Sequence, residues 1–188
     1  MIYTGQALNE ISFPLGGIGT GSVGLAGNGR FVDWEIFNKP AKGSVNGYSH
    51  IAVRAVTKEG SVCKVLNGDL TTNLTGYYRN NPNQVHSGFG YGPASTTMCG
   101  FPHFEKVSFR GEFPIAELYF EDGAFPGSVT LTAFNPFIPL NSFDSSIPAA
   151  FFEIAFRNET EDTITYQTSF ALGNPFAAKK MKRSVRKI

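Results

Sequence analysis

Phe151-Phe152-Glu153-Ile154-Ala155-Phe156-Arg157 places Phe152, Ile154 and Phe156 on one side of an extended chain, with Glu153 and Arg157 on the other. A strand with one buried face requires that alternation, because successive side chains point to opposite faces. After the polar turn Asn158 to Asp162, Thr163 to Phe170 repeats it, with Ile164, Tyr166 and Phe170 set against Thr163, Thr165, Gln167 and Ser169. The two stretches read as a hairpin. Upstream, Phe104 to Arg110 and Ile115 to Phe120 flank a turn containing Gly111, and Ser128 to Asn135 places Val129, Leu131 and Ala133 on one face. Ile51 to Thr57 and Ser61 to Leu66 flank a short turn at Glu59-Gly60. No window shows a capped helical stripe. The pattern predicts an all-β chain with little helix, an antiparallel β-sandwich.

Composition agrees. The chain has 188 residues, 41% hydrophobic and 16% charged, which suits one sizeable core. Gly 21 and Pro 11 favour many short elements joined by turns. The net charge of +1 hides an asymmetry. Six cations and no acid lie in Lys179 to Ile188, and without them ten bases face 15 acids, a body at −5. A basic end is not the basic face that nucleic acid needs, so nucleic-acid binding is not expected. Residues 1–178 are expected to form the sandwich and 179–188 a disordered or non-native tail. The start of the chain lacks the basic and apolar pattern of a secretory signal. No apolar run approaches the ~20 residues that span a bilayer. The expected compartment is the cytoplasm.

From Gly16 to Gly29 seven of fourteen residues are glycine, and Gly19, Gly21 and Gly24 formally satisfy G-x-G-x-x-G. That fingerprint binds a dinucleotide only between a strand and a helix, with an acid ~20 residues on. Here Pro14 breaks the preceding stretch, strand-like residues follow, and no acid lies near Ser44. A hairpin fits better, with Gly21 to Ala26 and Arg30 to Phe37 joined at Gly27-Asn28-Gly29. The glycines before it allow close backbone approach, to other chain segments or to a ligand.

Along Phe31 to Phe37, alternation puts Val32, Trp34 and Ile36 on one face and Asp33 and Glu35 on the other, with the acids' Cα atoms roughly 6–7 Å apart. Paired carboxylates suggest glycoside hydrolysis, but catalytic ones flank a bond from opposite sides, and these lie side by side. A solvated or salt-bridged pair is the plainer reading. Trp34 is either a sugar-stacking platform or core. His50, His86 and His103 share no ligand spacing, so no metal or other cofactor is expected. Cys63 and Cys99 read as buried or free thiols. Asn135-Pro136-Phe137-Ile138-Pro139 is a stiff apolar turn, a docking corner whose Phe137 and Ile138 seek burial. Asn67 to His103 is long and weakly patterned, either hiding a strand near Leu70 to Tyr78 or forming a functional loop.

Two blocks carry a resemblance. Phe13-Pro14-Leu15-Gly16-Gly17-Ile18-Gly19-Thr20-Gly21-Ser22, continuing through Asn28 to Asn38 and Lys42-Gly43-Ser44, resembles the start of glycoside hydrolase family 116, the β-glucosidases and non-lysosomal glucosylceramidases. Ala133 to Asn141, with Asp144 to Ala149, is similar to the same family's N-terminal domain. The resemblance implies a sandwich that is part of a larger super-sandwich and packs on an (α/α)6 barrel. That barrel would carry both carboxylates of a retaining mechanism acting on a β-glucoside or glucosyl lipid. No catalytic residue of this chain matches one of the family's. The family's sandwich continues beyond Phe176, so the basic run stands where further strands are expected. The expected role is a non-catalytic domain helping to wall the sugar pocket, with Arg30, Asp33, Trp34 and Glu35 as candidate substrate-binding residues. The alternative is a free-standing carbohydrate-binding module using Trp34 or Tyr77, Tyr78 and Tyr91.

Overall fold

A computed structural model of the chain describes residues 1–37, 39–68, 98 and 100–175. The basic run and nearly all of the Asn67 to His103 segment, with Tyr77, Tyr78, Tyr91, His86 and Cys99, lie outside these residues, so the expectations placed there concern undescribed chain. Among the described residues the strands are β1 (Tyr3–Thr4), β2 (Ser12–Leu15), β3 (Val23–Ala26), β4 (Phe31–Val32), β5 (His50–Val56), β6 (Ser61–Val65), β7 (Lys106–Glu112), β8 (Ile115–Glu121), β9 (Ser128–Phe134), β10 (Phe151–Arg157) and β11 (Thr165–Ala171). Helix is confined to a 3-10 segment, Gly5–Glu10, and a single turn, α1 (Ser142–Ser145).

The alternation read from the sequence decides the layers. In β8 the buried residues are Ala116, Leu118 and Phe120, and in β9 they are Val129, Leu131 and Ala133, every second position in each strand. These strands sit in a five-stranded antiparallel sheet ordered β1-β7-β8-β9-β10. A second sheet, β11-β5-β6, offers Ile51, Val53 and Ala55. A small third sheet, β2-β3-β4, contributes Leu15, Leu25 and Phe31. All three inner faces meet in one apolar cluster. Phe104, fully buried, anchors one end of it, with ring centroids 5.4 Å from Phe120 and 5.2 Å from Phe125. Each such ring contributes about 1.5–3 kcal/mol of transfer free energy.

Two sheets are also joined by charge. Lys64 on β6 and Asp122 just beyond β8 form an ion pair of 2.6 Å, with side chains 10% and 1% exposed. Lys64 Nζ also donates to the His103 carbonyl at 2.9 Å. The Asp122 carboxylate accepts from the backbone N–H groups of Glu105 (3.1 Å) and Ala124 (2.8 Å). Burial pushes the Asp122 carboxyl up, but Lys64 and these two amides outweigh it and hold it below its ordinary value.

The structure corrects several local expectations. Phe151 to Arg157 is a strand and the second stretch becomes one from Thr165, not Thr163, but the two form no hairpin: β10 pairs with β9, and β11 with β5. The polar turn between them crosses from one sheet to the other, and Phe156 stacks on Tyr166 across the layers at 4.5 Å. Alternation says which face is buried, not which strand lies alongside. Pro14 does not break its stretch but sits within β2, on an edge of the small sheet where a missing N–H is tolerated. Gly111 lies inside β7, and the turn falls at Phe113-Pro114, whose peptide bond is cis. Phe137 and Ile138 are not buried but 39% and 49% exposed.

Candidate functional site

The Gly27-Asn28-Gly29 hairpin forms as the sequence predicts. Ala26 N–H donates to the Arg30 carbonyl at 2.8 Å and Gly29 N–H to the Ala26 carbonyl at 2.9 Å. Its second strand, however, ends at Val32 rather than Phe37. Gly24 pairs with Val32, yet the next exchanged backbone bonds join Ser22 to Glu35, at 2.8 and 3.3 Å. One extra residue is therefore accommodated between Val32 and Glu35, a bulge, with Asp33 at φ 50°. The bulge, not the pleat, sets the relation between the two carboxylates.

Both carboxylates converge on the segment Ala41 to Ser44. Asp33 accepts from Ser12 Oγ and from the Gly43 N–H, each at 2.6 Å. Glu35 accepts from the Ala41 N–H at 2.9 Å. Lys42 Nζ lies 3.5 Å from Asp33 and 3.3 Å from Glu35. Between them, the Trp34 N–H donates to Ser44 Oγ at 2.8 Å. The acids are thus a salt-bridged pair gripping a loop. Asp33, 8% exposed, is pushed up by burial, but hydrogen bonds from Ser12 and Gly43 and the Lys42 charge hold it below its ordinary value of 3.8. An ionised, fully engaged carboxylate suits positioning better than proton transfer.

That lowered value makes stability depend on acid. A carboxyl held low in the folded state contributes stability that is complete above its unfolded value and is lost as pH falls through the folded one. Asp33→Asn should therefore flatten the fall in melting temperature relative to wild type as pH drops below the ordinary carboxyl value of 3.8. Parallel acid profiles for the two proteins would contradict this role.

Trp34 is half-buried against the core, edge-on to Phe31 with centroids 6.4 Å apart. Its Nε1 is buried and has no hydrogen-bond partner among the described residues. Arg30 lines a narrow cleft with Phe31, Asn46, His50 and Asn67, and Asp33, Trp34 and Glu35 are not among its lining residues. The four candidate residues thus share one hairpin but form no single pocket. Lys42, Ser12 and Ser44 complete the clamp. Their positions in the sequence carry no signal for it, because they reach Asp33, Glu35 and Trp34 only through folding.

The glycines serve packing. A Cβ on Gly21 would lie 2.6 Å from the Glu35 carbonyl oxygen, and one on Gly17 would run into the Ile147 carbonyl oxygen. Asn135 locks the same segment from the far side. Its Nδ2 donates to the Pro14 carbonyl at 2.9 Å, and its Oδ1 accepts from the Gly16 N–H at 2.7 Å. Gly24 lies within β3, and the chain leads from there into β4 rather than into a helix, so the dinucleotide reading fails. Among the described residues, no group of three or more His, Cys, Asp or Glu could hold a metal ion, and no helix is long and apolar enough to cross a membrane.

The architecture and its glycine-dependent clamp define a β-sandwich domain in which the most distinctive sequence motifs act as internal joints. The chain belongs to glycoside hydrolase family 116: the family's N-terminal domain, described as beta-glucosidase 2, glycosyl-hydrolase family 116 N-term, matches residues 12–187. Comparison with curated proteins gives no match.

Proposed function

We propose that this chain is the non-catalytic sandwich of a retaining β-glucosidase or glucosylceramidase, packing on an (α/α)6 catalytic domain that supplies both reacting carboxylates. The family match over residues 12–187 carries this reading. The state of Asp33 and Glu35 supports it, since both are committed to the Ala41 to Ser44 loop and leave no free carboxylate pair in the hairpin. The substrate is a β-glucoside or glucosyl lipid of the whole enzyme, and a cytoplasmic location belongs to the same proposal. Arg30, Asp33, Trp34 and Glu35 act on the sugar pocket by shaping a wall of it. Asp33 and Glu35 would do so through the loop they hold, and Trp34 through its backbone N–H, which is bonded to Ser44 of the same loop. The 188-residue chain should release no aryl group from an aryl β-glucoside, while a polypeptide that joins it to the helical domain should. Turnover by the chain alone, abolished by Asp33→Asn or Glu35→Gln, would overturn the reading.

A further inference from the structure

Where β7 and β8 lie side by side, the five-stranded sheet has a polar outer face, and part of that face is hollowed. With Val107 and Phe109 of β7 turned to the core, alternation turns Lys106, Ser108 and Arg110 outward. In β8, with Ala116, Leu118 and Phe120 inside, it turns Glu117, Tyr119 and Glu121 outward. The register sets Thr4 of β1 opposite Ser108, Ser108 opposite Tyr119, and Tyr119 opposite Thr130 of β9. Tyr119 is thus the one ring in a row of hydroxyls. A groove of about 410 Å³ opens beside it, lined by Tyr119, Ser108, Thr4, Lys106, Glu105 and Glu121, with Gly5 and Val107 completing the lining. That volume falls within the ~300–1,000 Å³ of small-molecule sites.

The ring is held in place by its own strand. Tyr119 Oη donates to Glu117 Oε2 at 3.1 Å, and Glu117 Oε2 lies 3.5 Å from Arg110 Nη1. Glu117 stands two residues before Tyr119 on the same face, so this bond leans the ring along β8 away from Glu121 and turns a ring face to the groove. The cross-strand neighbours Ser108 and Thr130 are too short to cover it. Lys106 and Glu121 are opposite in register, yet neither they nor Glu105 form a side-chain ion pair among the described residues. One cation between two carboxylates and nearby hydroxyls offers donors and acceptors with little net attraction for an ion of either sign. An apolar partner would strand those charges. The combination matches a neutral ligand with hydroxyls round its rim and C–H bonds on its faces, as in a pyranose ring.

We infer that this groove is a binding site for a neutral, extended oligosaccharide of the β-linked glucan class, laid against the outer face of the sheet. A straight β-1,4-linked chain meets a sheet face over more of its length than a coiled chain does. Tyr119 is the stacking platform, Glu117 and Arg110 position its ring, and Ser108, Lys106 and Glu121 hydrogen-bond to sugar hydroxyls. The groove belongs to a different sheet from the Asp33 and Glu35 clamp and needs no second domain, so it goes beyond the function proposed above.

The test is titration calorimetry of the full chain with cellohexaose. Wild type should bind it saturably. Tyr119→Ala should weaken binding by roughly tenfold or more, while Tyr119→Phe, which keeps the ring, should stay within about fivefold. Because Tyr119→Ala also removes packing from β8, Lys106→Ala with Glu121→Ala forms a second arm. Both side chains are exposed, so this double variant should keep the wild-type melting temperature and still weaken binding by about threefold or more. Leu140→Ser, at a fully exposed position outside the groove, should leave affinity within about twofold. Maltohexaose, a coiled α-linked chain, should bind roughly tenfold more weakly than cellohexaose. Equal affinity for the two sugars would overturn the extended-chain ligand. Absence of saturable cellohexaose binding, or binding that Tyr119→Ala and the double variant leave unchanged, would overturn the site.

Discussion

Asp122→Ala is expected to lower the unfolding free energy by about 3–5 kcal/mol, the usual result of stranding one partner of a buried ion pair. For a domain of this size that is a fall of roughly 6–20 °C in melting temperature. Lys64 Nζ would keep the His103 carbonyl at 2.9 Å and the face of Phe104 at 5.9 Å, with no carboxylate among the described partners, inside a site where it is 10% exposed. The Glu105 and Ala124 amides would lose their acceptor as well. Removing both charges is a different experiment. Lys64→Met with Asp122→Leu should recover most of the loss, because an apolar pair of similar volume avoids desolvating two ions. Urea titrations of the two single variants and the double variant read this directly. A loss under about 1 kcal/mol for Asp122→Ala would show that the pair is not holding β6 against the β8 end.

Asn135→Ala should cost about 2–4 kcal/mol, for a different reason. Its side-chain amide closes two hydrogen bonds to backbone more than a hundred residues earlier in the chain, and truncation leaves the Pro14 carbonyl and the Gly16 N–H without those bonds. Asn135→Asp should do no better. A carboxylate can still accept from Gly16, but it cannot donate to Pro14, and it brings a charge to a position 6% exposed. Beyond the overall loss, amide exchange at Gly16 and Ile18 should accelerate more than exchange in β5, because the loop is released locally. Uniform acceleration across all strands would mean that Asn135 supports the core rather than this joint.

Much of the strand content was legible because burial imposes period two. Val129, Leu131 and Ala133 announce an inner face, and each is at or near zero exposure. The Glu59-Gly60 and Gly27-Asn28-Gly29 turns were legible for a similar local reason, since turn chemistry resides in two or three adjacent residues. Pairing was not. The polar link after Arg157 looks the same whether it folds a hairpin or carries the chain over to the opposite sheet. The pairing of β10 with β9 and of β11 with β5, with Phe156 stacked on Tyr166 between the layers, shows which occurs. The candidate site was legible as a set of unusual residues. The bulge at Asp33 was not, because a left-handed aspartate is stabilised by Ser12 and Gly43, neither of them a sequence neighbour.

By itself, then, the sequence determined an all-β chain, its buried faces, its tight turns and, through two motif blocks, its family. All of these are written in residues close together along the chain. Tertiary structure alone decided that those two blocks are one joint, with Asn135 of the second bonded to the backbone of the first. It also decided that the two acids grip a loop through Lys42, and that the apolar corner after β9 faces outward. Each of these depends on which distant groups a side chain meets once the layers close, and neither periodicity nor composition encodes that.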